Sequence, residues 1–229
     1  MTLSTPISIQ SLVDQAFDRL VEAIVRGELV PGSRLGEAQV AKQLGISRGP
    51  LREALVRLES RKLVARKPNC GVTVVDFSEA DLDELFTVRE ALEGMACRLA
   101  ATAMADSEIA GLIALLERHG ADPDVRDGSA YYQGADDDFH FRIVRGSRNT
   151  RLIAALCDEL HDQVRFYRYR SSTRPGRTRQ AYDEHRQIAA ALQARDPDRA
   201  EAAMRRHIAN ARINLLWRND GSKSTATGE

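Results

Sequence analysis

Four residues with metal-ligating side chains occupy the apolar faces of predicted helices, where core residues are expected. They are Asp136 and His140 on a helix over 129–146, His185 on a helix over 177–194, and His207 on a helix over 196–217. Burying one carboxylate and three imidazoles without partners is costly, and a cation removes that cost. A set of one oxygen and three nitrogens suits Zn²⁺, Ni²⁺, Mn²⁺ or Fe²⁺ rather than Ca²⁺. The pattern predicts a divalent transition-metal site.

The spacing around a tight turn supports this prediction. His185 and His207 each lie 11 residues from Asp196, where the chain reverses between two helices. At a rise of ~1.5 Å per residue, both imidazoles lie ~16 Å from the bend and therefore at the same height.

A single histidine on an apolar stripe is more often an ordinary core residue. His119 and His161 lack the placement of the other three and are predicted to be structural or surface residues.

A second chemistry is indicated near the amino terminus. Arg48 and Arg52 share one face at the start of a predicted helix that Ser47 caps and that ends near Lys62. An arginine fork matches O6 and N7 of guanine, while a helix N-terminus with a serine hydroxyl suits a backbone phosphate. The alternative is a solvated basic face, but the surrounding elements favour DNA recognition.

The elements around this helix predict a winged helix-turn-helix over residues 1–77. A short helix over Glu37–Leu44 precedes it. Two β-rich segments follow it, 63–67 with Arg66 and Lys67 and then 72–75, and a turn at 68–71 that ends in Gly71 separates them. This hairpin would act as the wing, with glycine permitting close approach to DNA. Residues 78–218 are predicted to form an all-helical bundle, so the expected fold class is mainly α, and 219–229 to form a mobile tail.

Composition agrees with two soluble modules. Hydrophobic residues make up 43% and charged residues 29% of the 229, and no apolar run approaches the ~20 residues of a membrane-spanning helix. With no secretory signal and only three cysteines, a cytoplasmic protein is expected. Residues 1–77 carry 11 Lys and Arg against 8 Asp and Glu, whereas the remainder is net acidic. A basic module joined to an acidic one is typical of a nucleic-acid binder with a sensing domain.

The amino-terminal residues resemble the DNA-binding domain of the GntR family of bacterial transcriptional regulators. The matching stretches are LVPGSRL (29–35), LGISRGPLREALVRLESRKLV (44–64) and GVTV (71–74). Three positions depart from the family pattern: Gly49 replaces a usual threonine, Lys62 a usual glycine, and Ala38 an arginine found in some members. The DNA-contacting residues that the pattern and the resemblance together predict are Arg34, Ser47, Arg48, Gly49, Arg52, Arg66, Lys67 and Gly71.

The carboxyl-terminal part resembles the FCD domain, the helical effector domain of the FadR subfamily. The resemblance rests on DDDFH (136–140), EH (184–185) and RHI (206–208), which fill all four ligand positions of the family. It implies a divalent metal inside a helical bundle and small carboxylates as effectors.

Two further residues are candidates for effector binding. Arg89 lies in the apolar stripe of a predicted helix over 79–104, and a buried guanidinium needs an anionic partner. An effector carboxylate and Glu93, one turn on, are both candidate partners. Asn149 matches a polar position of the family and would either cap a helix or line the pocket.

The combined interpretation is a homodimeric, sequence-specific transcriptional regulator, expected to be a repressor, that binds a pseudo-palindromic operator and responds to an organic acid. A metal-dependent enzyme using the Asp/His₃ set is one alternative. A helical domain that only dimerises, without metal, is another.

Overall fold

A computed structural model of the chain describes residues 11–67, 71–76, 78–121, 138–172 and 176–222. The chain divides into two compact units, Met1–Asp76 and Phe77–Glu229. Within the described ranges, no helix combines the length and apolar character needed to cross a membrane.

Within its described residues, the first unit contains three helices and a small sheet. The helices are α1 (Leu12–Val25), α2 (Glu37–Leu44) and α3 (Arg48–Ser60), and the strands are β1 (Arg34–Leu35), β2 (Val64–Lys67) and β3 (Gly71–Val74). A capping box between Ser11 and Asp14 starts α1, and Gly45 ends α2 in the left-handed conformation. Leucines of α3 pack into the core against α1. This packing fixes the exposed face of α3.

The sheet has the order β1–β3–β2, with antiparallel pairing throughout. Arg34 pairs with Thr73, and Lys67 pairs with Gly71. The sequence predicts the β2–β3 hairpin but misses β1, because a two-residue strand carries no period of its own. The turn is predicted over 68–71, but Gly71 is the first residue of β3 and pairs with Lys67, so the turn ends one residue earlier than predicted; residues 68–70 lie outside the described residues.

The second unit is helical. Its α-helices are α4 (Glu79–Ala103), α5 (Asp106–Ala121), α6 (Phe139–Gly146), α7 (Thr150–Ile153), α8 (His161–Ser172), α9 (Arg177–Gln193) and α10 (Pro197–Ser222), with a π-helical segment at Ala154–Glu159. The long helices α4 and α10 pack along each other, and α9 packs against both α10 and α5. The predicted fold class, a winged helix-turn-helix plus a helical domain, is confirmed.

Three details differ from the sequence prediction. The single helix predicted over 149–169 is two α-helices joined by the π-helical segment, whose wider turn a pattern of period 3.6 does not anticipate. The last helix continues to Ser222, so residues 219–222 are helical where a mobile tail was expected. Within the helix predicted over 129–146, only 138–146 are described, and Asp138 caps α6 there by accepting hydrogen bonds from His140 N and Phe141 N.

Candidate metal centre and nucleic-acid interface

Three histidines from three helices converge inside the second unit. His140 on α6, His185 on α9 and His207 on α10 bring their Nε2 atoms together, with 3.2 Å between those of His140 and His185 and 3.3 Å between those of His185 and His207. The three ligand atoms all lie within 4.8 Å of one another. As the spacing predicts, His185 on α9 and His207 on α10 lie side by side, at the same distance from the turn that joins the two helices.

Two buried glutamates determine which ring nitrogens face the centre. Glu93 on α4 lies 2.7 Å from Nδ1 of His140, and Glu184 on α9 lies 2.6 Å from Nδ1 of His207. A carboxylate can only accept, so each Nδ1 donates and each Nε2 keeps its lone pair. The Nε2 lone pairs of His140 and His207 thus point into the cluster. The third ring, that of His185, stacks on Phe139 with 4.4 Å between centroids.

Each glutamate is held by cationic or amide groups. Arg89 donates from Nε to Glu93 at 2.8 Å, and Arg168 donates to the same carboxylate at 3.1 Å. Arg168 also forms two hydrogen bonds with Asp138, at 2.8 and 2.9 Å. Paired with the two arginines, Glu93 can stay ionised although it is buried.

A second set of groups surrounds Glu184. Arg177 donates to its Oε2 at 2.9 Å, and Asn210 donates to its Oε1 at 2.7 Å. Both oxygens of this carboxylate are therefore engaged, which fixes its orientation toward His207. Second-shell carboxylates of this kind orient metal-ligating imidazoles and raise their basicity.

The electrostatics keep the histidines neutral. Burial lowers the pKa of His140, and the Arg168 guanidinium lowers it further. Burial and the neighbouring imidazoles hold the pKa values of His185 and His207 well below the ordinary histidine value. Burial alone would raise the pKa of Glu93, but Arg89 and Arg168 outweigh it and keep that pKa well below its usual range. Metal binding requires neutral imidazole.

The geometry fits a single transition-metal ion. Nitrogens bound to one ion at ~2.1 Å lie ~3.0–3.4 Å apart in octahedral to tetrahedral arrangements, and the two measured Nε2 separations of 3.2 and 3.3 Å fall in that interval. Two nitrogen lone pairs at this distance repel each other unless a proton or a cation lies between them. Asp136, the fourth predicted ligand, lies outside the described residues.

The two predicted effector residues have different surroundings. Arg89 is 1% exposed, and within the described residues its Nη1 has no hydrogen-bond partner. Asn149 accepts hydrogen bonds from Arg151 N and Leu152 N at 3.0 and 3.2 Å and so caps α7. Of the two roles that the sequence leaves open for Asn149, the structure shows the cap. Arg89 thus contacts Glu93, the structural partner that the sequence offers.

The remaining two histidines lie apart from the cluster. His161 stacks on Phe141 with 4.6 Å between centroids and lies 2.9 Å from Asp162. His119 is buried near the end of α5. Neither belongs to the group of possible metal ligands found among the described residues.

The first unit presents its basic residues on the exposed side of α3. Arg52 is exposed and donates from Nε to Glu37 Oε2 at 2.8 Å, linking α3 to the first residue of α2. Ser47 precedes α3 in an extended conformation and makes no side-chain capping bond. Gly49 follows it in the first turn. These positions leave the Ser47 hydroxyl and the start of α3 available to an anion.

The wing carries the other predicted contacts. Arg66 on β2 donates from its backbone N and from Nε to Glu59 of α3, both at 3.2 Å. Gly71 has a φ of +77°, and a Cβ built on it would lie 3.7 Å from Nε of Arg34. The Arg34 side chain therefore lies beside Gly71 at the start of β3, and Lys67 pairs with this same glycine from the other side.

Sequence reasoning missed several residues of the centre. The sequence does not predict Arg168, Arg177 or Asn210, and it includes Asp138 and Glu184 only within the DDDFH and EH motifs, without a role for either. Partial signals exist: Arg177 and Glu184 are seven residues apart on one helix, and Asn210 is one turn from His207. No signal links Arg168 to Glu93, because they are 75 residues apart and meet only in the folded bundle.

A winged helix-turn-helix followed by a helical unit with a buried histidine cluster defines a two-domain transcriptional regulator. Residues 12–74 match the bacterial regulatory proteins of the gntR family, and residues 84–210 match the FCD domain. The chain belongs to the GntR family and carries an FCD domain.

Similar proteins agree with this assignment. The chain is 32% identical over 201 residues to the "Probable D-xylose utilization operon transcriptional repressor" of Paenarthrobacter nicotinovorans, covering 87% of this chain and 86% of that protein. It is 32% identical to the Nta operon transcriptional regulator of Aminobacter aminovorans, covering 78% of this chain and 82% of that protein. The solved structure of Escherichia coli McbR/YncC superposes with a TM-score of 0.73 at 25% identity, covering 92% of this chain and all of that one.

These findings confirm that the protein is a DNA-binding transcriptional regulator. Because the family and its named members are regulators, they also confirm the prediction that the protein is not an enzyme and favour regulation over the metalloenzyme alternative.

Proposed function

We propose that this protein is a cytoplasmic homodimeric repressor whose operator affinity is set by a small carboxylate bound at a divalent metal. The domains follow the sequence boundaries: DNA binding by 1–77, and metal, effector and dimer contacts by 78–218. The observation that carries the proposal is the convergence of three neutral imidazoles, two of them oriented by buried glutamates. The name of the xylose-operon relative supports the sign of regulation.

His140, His185 and His207 would hold the metal, with Asp136 as a fourth ligand. A bound metal would supply a Lewis-acidic attachment point for an anionic effector. The candidate ions are Zn²⁺, Ni²⁺, Mn²⁺ and Fe²⁺, since each accepts imidazole ligands.

Elemental analysis of protein purified without chelator tests the site. We expect near-stoichiometric metal in the wild type and little in a His185→Ala/His207→Ala variant. A His119→Ala variant, altered outside the cluster, is the control and should keep its metal.

Charge balance supports a carboxylate effector. Among the described residues, three arginines form ion pairs with three carboxylates around the cluster, so their charges cancel: Arg89, Arg168 and Arg177 against Glu93, Asp138 and Glu184. A divalent ion adds two positive charges, of which Asp136 would offset one. The remaining positive charge favours an anion, and so does Nη1 of Arg89, which has no hydrogen-bond partner in the described part of the chain.

A thermal-shift panel of small mono-, di- and tricarboxylates tests the effector class. We expect one or more acids to raise the melting temperature of metal-loaded protein, and an Arg89→Lys variant to weaken that response at unchanged metal content. Arg89→Lys keeps the positive charge beside Glu93 but loses the planar fork. An equal response in both proteins would remove Arg89 from the effector site.

DNA contact is assigned to Arg34, Ser47, Arg48, Gly49, Arg52, Arg66, Lys67 and Gly71. Arg48 and Arg52 would read base edges, while the wing residues and Ser47 would contact the phosphate backbone. A gel shift on the DNA upstream of the gene, with and without Arg48→Ala/Arg52→Ala, tests this assignment. Unchanged specific binding by the double variant would overturn it.

An apolar seam on α4 is the candidate dimer surface. Val88 and Met95 lie seven residues apart, as in a coiled-coil seam, and are 43% and 39% exposed, while Leu92 and Leu99 beside them pack in part against the unit's own core. A second copy pairing there about a twofold axis would bury them. Light scattering should give a dimer for the wild type and a monomer for Val88→Glu/Met95→Glu. Val30→Glu, at an exposed valine of the first unit, should stay dimeric.

A further inference from the structure

The acidic residue that starts α2 lies among the basic groups of the DNA-binding unit. Glu37 accepts a hydrogen bond from Nε of Arg52 at 2.8 Å, and 27% of its side chain is exposed. This hydrogen bond from Arg52 lowers the pKa of Glu37, and the charges of Arg66 and Arg48 lower it further. The carboxylate is therefore ionised and lies within electrostatic reach of three predicted DNA-contacting arginines.

The atom that Glu37 contacts matters for recognition. An arginine that reads guanine end-on donates from its two Nη groups to O6 and N7. The salt bridge uses Nε of Arg52, and neither Nη group of this arginine is hydrogen-bonded to any of the described residues. Since α2 and α3 are packed together, the carboxylate gives the flexible side chain one preferred orientation before DNA arrives.

We infer that Glu37 is a positioning residue for base readout: it orients the Arg52 fork toward a guanine and, as a negative charge on a basic surface, weakens binding to DNA of any other sequence. This inference rests on the proposed base-reading role of Arg52. Glu37 itself need not touch the DNA. Its effect is on the ratio of specific to non-specific affinity rather than on affinity alone.

The two effects predict opposite changes when the carboxylate is removed. In Glu37→Ala, discrimination at one base pair should fall about 2–5-fold, which is the range expected from an exposed ion pair. Affinity for non-specific DNA should rise by a similar factor at low salt, because a charge that repels phosphates is gone. A merely structural defect would lower both affinities together.

The test uses the full-length protein and a library of duplexes randomised over 20 base pairs. After selection with the wild type, fluorescence anisotropy measures binding to the selected duplex, to its single-base-pair variants and to poly(dI-dC). Glu37→Gln should retain most of the discrimination, since its amide oxygen can accept from Nε, yet bind poly(dI-dC) more tightly. Glu53→Ala, at an exposed glutamate of α3, is the matched control and should leave discrimination unchanged.

Coupling to Arg52 completes the test. In an Arg52→Ala background, Glu37→Ala should cause no further loss at that base pair. Unaltered discrimination at every base pair in Glu37→Ala, or an equal loss with Arg52 absent, would overturn the inference. If the wild type selects no sequence at all, the proposed base-reading role fails instead.

Discussion

Nδ1 of His207 lies 2.6 Å from Oε2 of Glu184, and the same oxygen accepts a hydrogen bond from Arg177 at 2.9 Å. One carboxylate thus joins a candidate metal ligand on α10 to a buried guanidinium on α9. The two helices are consecutive, so a short turn and one carboxylate together set the position of the imidazole.

Glu184→Gln should weaken metal binding by about 10–100-fold, as is usual for loss of a second-shell carboxylate. An amide holds the Nδ1 proton less strongly and makes Nε2 a poorer donor. Competition with a chromophoric chelator measures the affinity. Glu201→Gln on α10 is the control, because Glu201 contacts Arg98 and Arg205 rather than a histidine. Equal affinities in wild type and Glu184→Gln would show that the carboxylate does not tune the site.

Metal-free protein should lose stability as the pH falls below about 6.5. The pKa values of His140, His185 and His207 are lowered by burial, so between the folded and unfolded pKa values the unfolded chain binds more protons. The stabilisation is complete above the unfolded value and is lost toward lower pH, with a limiting slope of ~4 kcal/mol per pH unit for three histidines. The lowered pKa of Glu93 adds the same trend at more acidic pH.

Urea unfolding at pH 7.5 and 5.5 in the presence of chelator measures this slope. His140→Gln should reduce it by about one third, since one of three titrating groups is removed. A flat profile over this range would mean that the imidazoles are not buried in the metal-free state.

Lys62→Gly should stabilise the first unit by about 1 kcal/mol. Lys62 follows the end of α3 with a φ of +57°, which is the left-handed conformation. This conformation costs a non-glycine residue roughly 1–2 kcal/mol. Glycine avoids that cost, but it also has more conformational freedom in the unfolded chain, which offsets part of the gain. Thermal unfolding measures the change. Lys62→Ala retains Cβ and should show no comparable gain, and a gain as large in Lys62→Ala would point to the lysine side chain instead.

Two glycines of α5 should respond in opposite directions to alanine. A Cβ on Gly120 would lie 2.4 Å from the Tyr182 hydroxyl oxygen, whereas one on Gly111 would meet nothing within 4 Å. Gly120→Ala should therefore destabilise by about 1–3 kcal/mol through overpacking. Gly111→Ala should stabilise by up to ~1 kcal/mol through helix propensity. Denaturant midpoints of the two variants make the comparison, and similar shifts would contradict the packing of α9 on α5.

The sequence by itself determined the helical class, the winged helix-turn-helix and the heights of His185 and His207. These depend on local signals: periodic leucines in α3, a glycine ending α2, and equal spacing about the Asp196 turn. Each is set by a few neighbouring residues, so a linear pattern is sufficient.

The tertiary structure decided which charged groups meet. Glu93 and Arg168 are far apart in the chain, and Glu37 reaches Arg52 only because α2 packs on α3. A buried carboxylate remains ionised only if cationic groups are buried next to it. Whether such groups meet depends on how the helices pack, and no linear pattern of residues shows this. For the same reason, the choice of Nε2 as the inward atom of His140 and His207 belongs to the fold: it depends on glutamates that three-dimensional packing brings to the opposite side of each ring.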